Sequence, residues 1–237
     1  LIGGTAGRTT LNGEGIQHQD GHSQILANTY PNLKSYDPAF AYELVIIVRE
    51  GIRRMYEQQE NIFYYLTAYN ENYLMPAMPK TKDIAQKIVA GGYLLSSTKK
   101  TSESEIHLLG SGSIMQQVLN ARDLLEEKGF AVSVWSITSY NELLRDAEQC
   151  ERENRLHPFA KAVTPYIEKL FKTTSGSYVA ASDYMKIFAN SIAPWMPGQF
   201  TALGTDGYGL SESRADLREY FEISPDYICH AALVGLY

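Results

Sequence analysis

"EIHLLGSGSIMQQVLNARDLLEEKGFAVSVWSIT", residues 105–138, decides the fold class. An apolar run of strand length (105–110) meets a small-residue turn (111–113), and Ser113 with Gln116 has the spacing of a capping box that opens a helix. Gly129 is a natural helix stop, and residues 131–138 return to valine, isoleucine and tryptophan, the composition of a second strand. A strand, a helix and a strand in this order make a βαβ unit, because parallel strands need a long crossover to pair.

Downstream the alternation continues. Ser139 and Glu142 form another capping box ahead of residues 143–156, "SYVAASD" (177–183) is a strand, and "YMKIFANSI" (184–192) is a helix that Pro194 ends. "QFTALG" (199–204) is a short strand, Ser213 with Asp216 caps residues 214–221, and Ser224-Pro225 starts a final apolar helix. Upstream, Asp37 as N-cap and Pro38 at the first helical position predict a helix over 37–56, with Phe40, Leu44, Ile47, Val48 and Met55 on one face. "NIFYYLTAY" (61–69) reads as a buried strand, "MPAMPKTKD" (75–83) as an exit loop, and "SSTKKTSESE" (96–105) as a polar loop. No internal repeat interrupts this order.

The chain has 237 residues, 44% hydrophobic and 11% aromatic, enough for a sizeable core in one large domain or two modest ones. No apolar run approaches the roughly 18 to 20 residues of a membrane span. A net charge of −6 offers no basic field for a phosphate backbone, so nucleic acid is excluded as a partner. Cys150 and Cys229 are far apart and outside any CxxC pattern, which fits a reducing cytoplasm rather than a disulfide framework. The opening "LIGGTAGRTT" carries neither an initiator methionine nor a signal-peptide pattern, and reads as the middle of a longer protein.

"GEGIQHQDGHSQ" (13–24) concentrates chemistry on a loop without helical or strand periodicity. His18 and His22 have a metal-ligand spacing, but HQDGH has Gln19 where a zinc hydrolase has its glutamate base, and Gly21 opposes a helix. A zinc hydrolase is therefore the weakest of the functional readings. The "LLGSGSI" turn (108–114) has amides at a helix start, but lacks GxGxxG and the P-loop lysine, so a tight turn is favoured over an anion site. His107 and His157 read as packed or locally hydrogen-bonded. Arg214 reads equally as a contact between segments or as a solvated helix start.

Six stretches carry a resemblance: "LIGGTAGRTTLNGEGIQHQDGHS" (1–23), "SYDPAFAYE" (35–43), "NENYLMPAMP" (70–79), "LLGSGSI" (108–114), "CERENRLHP" (150–158) and "LGTDGYGLSESR" (203–214). In this order they resemble the homodimeric, bacterial type of the pyruvate-decarboxylating component of the pyruvate dehydrogenase complex, over its C-terminal third. The resemblance implies an α/β fold: residues 1–80 close a thiamin-enzyme middle (pyrimidine-binding) domain, 81–90 link, and 91–237 form a three-layer, mostly parallel, transketolase-like C-terminal domain. It implies thiamin diphosphate-dependent oxidative decarboxylation of pyruvate, with reductive acetylation of the lipoyl group of dihydrolipoamide acetyltransferase.

It further implies a homodimer in the bacterial cytoplasm. Partners would be pyruvate and the lipoyl domain and core of the acetyltransferase, with neither nucleic acid nor membrane. His22 matches the family's active-site histidine; imidazole can carry charge or pass a proton near neutrality. Asp20 stands where transketolase's similar loop has an Asp-Gly pair, and either orients the histidine, faces substrate or simply forms a turn. His18 has no clear chemical role in the family.

The family's Mg²⁺-diphosphate motif, GDG followed by paired asparagines, has no counterpart here; Asp206-Gly207 belongs to a different motif. No residue of this chain is thus expected to bind the cofactor or a metal, and the isolated chain is expected to be inactive. A non-catalytic dimerisation or docking module is the alternative. Residues before about 80 are expected to be the less stable part, with apolar faces that lack partners.

Overall fold

The computed structural model describes residues 1–5, 7–98 and 105–236. Strands β1 (Ile2–Thr5), β2 (Leu33–Tyr36) and β3 (Phe63–Ala68) make a parallel sheet with β3 at its centre. Helix α1 (Ser23–Ala27) precedes β2, and α2 (Ala41–Ile52) connects β2 to β3, ending in one π-helical turn, Arg53–Glu57. Helix α3 (Ile84–Ala90) then leads into the second sheet.

That sheet holds β4 (Gly92–Ser97), β5 (Ile106–Gly110), β6 (Val132–Ile137), β7 (Ser177–Ala181) and β8 (Gln199–Leu203), in the order β4-β6-β5-β7-β8. All neighbours are parallel except β4, which runs antiparallel to β6. Helices α4 (Met115–Glu127), α5 (Tyr140–Leu156), α6 (Tyr166–Leu170), α7 (Lys186–Asn190), α8 (Arg214–Tyr220) and α9 (Pro225–Val234) complete the order.

The expected βαβ unit is β5-α4-β6, with Leu108 opposite Val134. Alternation along each strand sorts two cores. Ile106, Leu108, Val132, Val134 and Val179 face α4 and α9, while Leu109, Trp135, Ile137 and Tyr178 face Leu143 and Ala147 of α5 and Ile167 of α6. Helices on both faces give the three-layer α/β arrangement, and its central strands are buried throughout.

Ser139 and Ser213 cap their helices as expected, accepting from the amides of Glu142 and Asp216. Two caps are not formed. Helix α4 starts at Met115 after a 3-10 turn, Gly112–Ile114, and Ser113 points instead at Thr10, with its Oγ 2.5 Å from Thr10 Oγ1. Asp37 does not cap α2, because its side chain is drawn inward by the hydroxyls of Thr67, Tyr69 and Ser111. Glu43 caps in its place: its Oε2 accepts from the amides of Ala39 (2.7 Å) and Phe40 (3.0 Å), so the helix begins at Ala41.

The antiparallel edge strand β4 occupies the start of the predicted polar loop, of which residues 99–104 lie outside the described residues. Pro194 sits within a 3-10 turn, Ala193–Trp195, and the helix before it is short. Among the described residues, no helix is long and apolar enough to cross a membrane.

The first sheet's core is closed from beyond residue 80: Ile88 and Tyr93 pack with Tyr36, Ile47, Tyr64 and Leu66. On its other side α2 shares with α3 an open, mostly apolar groove of about 1100 Å³, lined by Leu44, Val45, Val48, Ile52 and Val89 among others. None of its lining residues belongs to the histidine loop.

Candidate functional site

The segment that leaves β1 folds over the carboxyl ends of β5, β7 and β8, where parallel α/β sheets leave a crevice. Asp183, just past β7, takes four donors from it. Its Oδ1 accepts from Thr9 N (2.9 Å) and Thr9 Oγ1 (2.7 Å), and its Oδ2 from Thr10 N (3.1 Å) and Thr10 Oγ1 (2.9 Å). Arg214 Nε donates to Thr10 O at 2.9 Å, which makes Arg214 a contact between segments. Buried Gln19 donates to Leu11 O and accepts from Leu210 N, pinning the loop to the stretch after β8.

This scaffold holds Arg8, only 1% exposed, beneath the histidine loop. Its Nη1 donates to Thr205 O (2.7 Å) and to Gly207 O, and its Nη2 lies 3.1 Å from His22 Nδ1. A guanidinium has no acceptor, so Nδ1 must accept, and a neutral His22 ring carries its proton on Nε2. Burial pulls the Arg8 guanidinium below its ordinary pKa, opposed by Asp20, Asp183 and Asp206.

Gly21 is required by this contact. A Cβ there would lie 2.4 Å from Arg8 Cζ and Nη2, so any side chain would displace the guanidinium. His22 itself is exposed, at the N-cap position of α1. Asp20 makes the turn beneath it, accepting from the amides of His22 and Ser23, both at 2.9 Å, and from the Ser23 hydroxyl. The structure therefore brings His22 and Asp20 into one turn, with Asp20 bonded to the backbone rather than to the imidazole.

His18 is apart from them, exposed, with its Nδ1 2.9 Å from Glu14 Oε2. The two histidines of the zinc reading have different partners, and that of His22 is a cation that cannot share a metal. Among the described residues, no group of three or more His, Cys, Asp or Glu is placed to hold a metal ion.

The GSGS turn has its groups committed as well: Gly112 N donates to Asp37 O, Ser111 Oγ to Asp37 Oδ2, and Ser113 faces Thr10. Gly112 has φ +50, and a Cβ there would meet Tyr69 Oη at 2.3 Å, so turn and close approach both demand glycine. Asp37 is fully buried, and burial pushes its carboxyl up to about 6 against its three hydroxyl donors.

His107 is buried, accepting from Trp135 Nε1 at 3.3 Å and stacking on Tyr178. His157 is exposed, 3.6 Å from Glu153 across one helical turn. Cys150 and Cys229 are buried free thiols. Sequence reasoning missed Arg8, Thr9, Thr10, Asp183 and Gln19. An aspartate at the end of a predicted strand, and an arginine in a glycine-rich segment, were the available signals.

The pyruvate dehydrogenase E1 component middle domain family matches residues 1–76, and the transketolase-like TK C-terminal domain family matches residues 91–224. The pyruvate dehydrogenase E1 component of Pseudomonas aeruginosa is 50% identical over 100% of this chain and 27% of its own length. The chain belongs to the transketolase-like TK C-terminal domain family, and over its whole length it is similar to a C-terminal fragment of pyruvate dehydrogenase E1 components.

The E1 component of Escherichia coli K12 is 48% identical over 98% of this chain and 26% of its own length, so the chain spans about a quarter of these E1 relatives. The fold is also that of a solved transketolase from Campylobacter jejuni, with TM-score 0.67 at 20% identity, over 98% of this chain and 30% of that one. The thiamin diphosphate and Mg²⁺ that the E1 resemblance implies have no fitting ligand set among the described residues. Asp206, in the Asp206-Gly207 pair past β8, accepts from Lys186 N (2.8 Å) and pairs with Lys186 Nζ (3.1 Å).

Proposed function

We propose that this chain is the C-terminal part of a bacterial, homodimeric pyruvate dehydrogenase E1 component. The complete enzyme would decarboxylate pyruvate oxidatively and acetylate the lipoyl group of an acetyltransferase in the cytoplasm. Thiamin diphosphate and Mg²⁺ would supply the carbanion chemistry, held by residues outside this chain. Residues 1–80 would complete the middle domain, 81–90 link, and 91–237 form the C-terminal domain. The identity of half of all residues to named E1 components over the whole chain carries this reading.

Within it, His22 is the residue that faces substrate. The loop is held from below by Arg8 and Asp20, and the imidazole stands at the exposed side with Nε2 as its donor. A positioned donor of this kind stabilises negative charge that develops on a substrate oxygen or passes it a proton. Asp20 acts on the histidine through the turn that it closes.

In the complete enzyme, His22→Ala should lower kcat about a hundredfold, or about 2.7 kcal/mol of transition-state stabilisation, with little change in cofactor affinity. Steady-state kinetics beside a thiamin diphosphate titration check it. Unchanged turnover with a lowered melting temperature would make His22 a structural residue.

A further inference from the structure

We propose that Arg8 is the positioning residue of His22, fixing which imidazole nitrogen carries the proton and which way it faces. The proposal rests on the reading of His22 as the substrate-facing group. Burying a guanidinium is costly unless its donors are used. Here Nη1 and Nη2 go to two backbone carbonyls past β8 and to the ring nitrogen of a residue fourteen positions downstream, while the buried Nε has no hydrogen-bond partner among the described residues. Three carboxylates, Asp20, Asp183 and Asp206, act on its charge, and Gly21 leaves the space it occupies.

The consequence is directional. A solvent-exposed imidazole exchanges between its two neutral tautomers and turns about its side-chain bonds. With a donor-only cation at Nδ1, only the tautomer protonated on Nε2 keeps the contact, and the ring plane is held with that proton away from Arg8. Arg8 touches no substrate in this scheme; it prepares the group that does. Lysine cannot substitute, because one ammonium at the end of a flexible stem lacks the planar fork that spans Thr205 O, Gly207 O and the ring.

Histidine-labelled ¹⁵N spectra of the full chain, which has five histidines, test this directly with His22 assigned by His22→Gln. At a pH where the ring is neutral, His22 should show a single Nε2–H tautomer with a hydrogen-bonded Nδ1. Arg8→Lys should return it to the mixed pattern of a free imidazole. Gly21→Ala, which displaces the guanidinium from the other side, should do the same and serves if Arg8→Lys does not fold.

In the complete enzyme, Arg8→Lys should lower kcat at least tenfold with KM little changed, and should cost nothing more in a His22→Ala background. An Nδ1–H or mixed tautomer in the unmodified chain overturns the proposal, as does an equal kinetic loss in both backgrounds. Full activity of His22→Ala would sink the functional reading alone, and the spectra would still decide whether Arg8 orients the ring.

Discussion

Asp37 shows how far one residue's role depends on its surroundings. Asp-Pro before an amphipathic stretch is a sound helix-start pattern, yet the carboxylate serves three hydroxyls, from Thr67 and Tyr69 of the first segment and Ser111 of the second. In the folded chain it titrates near 6, against an ordinary 3.8. Between those values the folded state holds the proton and the unfolded chain does not, so this group's contribution to stability falls as pH rises from about 4 to about 6 and is constant above. Asp37→Asn should flatten that slope by up to about 3 kcal/mol. Urea unfolding at pH 4, 5, 6 and 7 measures it; parallel curves for the two proteins would refute the assignment.

At the scale of elements, α2 owes its start to a residue inside it. Glu43 accepts from two backbone amides at the helix entrance through Oε2, and through Oε1 from Tyr93 (2.7 Å) on β4 and Ser136 (2.6 Å) on β6. One buried carboxylate thus caps a helix of the first layer and ties it to two strands of the second sheet. Burial pushes its pKa upward while all four donors pull it back. Glu43→Ala would strand those donors and should cost about 3 kcal/mol or more, whereas Glu43→Gln, with one acceptor oxygen left, should fall between. The urea midpoint reads this, and a loss under about 1 kcal/mol would show that water replaces the carboxylate.

For the whole molecule, sequence reasoning expects rapid exchange before about residue 80. The seam between the sheets argues otherwise. Lys34 pairs with Glu142 at 2.9 Å, Asn141 donates to Gln24 O and Ser35 Oγ, Ser139 donates to Ser35 O, and Arg218 pairs with Glu71. Together with Asp183, Asp37 and Glu43 these contacts make two sheets share buried polar groups, and breaking the seam exposes all of them. Hydrogen exchange should therefore protect β3 and β6 amides to the same free energy, with one thermal transition. Exchange in β3 faster by several kcal/mol would restore independent units.

The sequence by itself determined the alternation of elements, the parallel α/β class, the caps at Ser139 and Ser213, and the loop that holds His22, because these depend on periodicity and on contacts a few residues apart. The motifs of residues 1–23 and 203–214 also carried the family resemblance. Only the tertiary structure decided what Asp37, Ser113, Glu43 and Arg8 do. Each has at least one partner far along the chain, as Arg8 does at Thr205 and Gly207 and Glu43 at Tyr93 and Ser136, and a hydrogen-bonding side chain goes to whichever partners the fold brings into its low-dielectric surroundings.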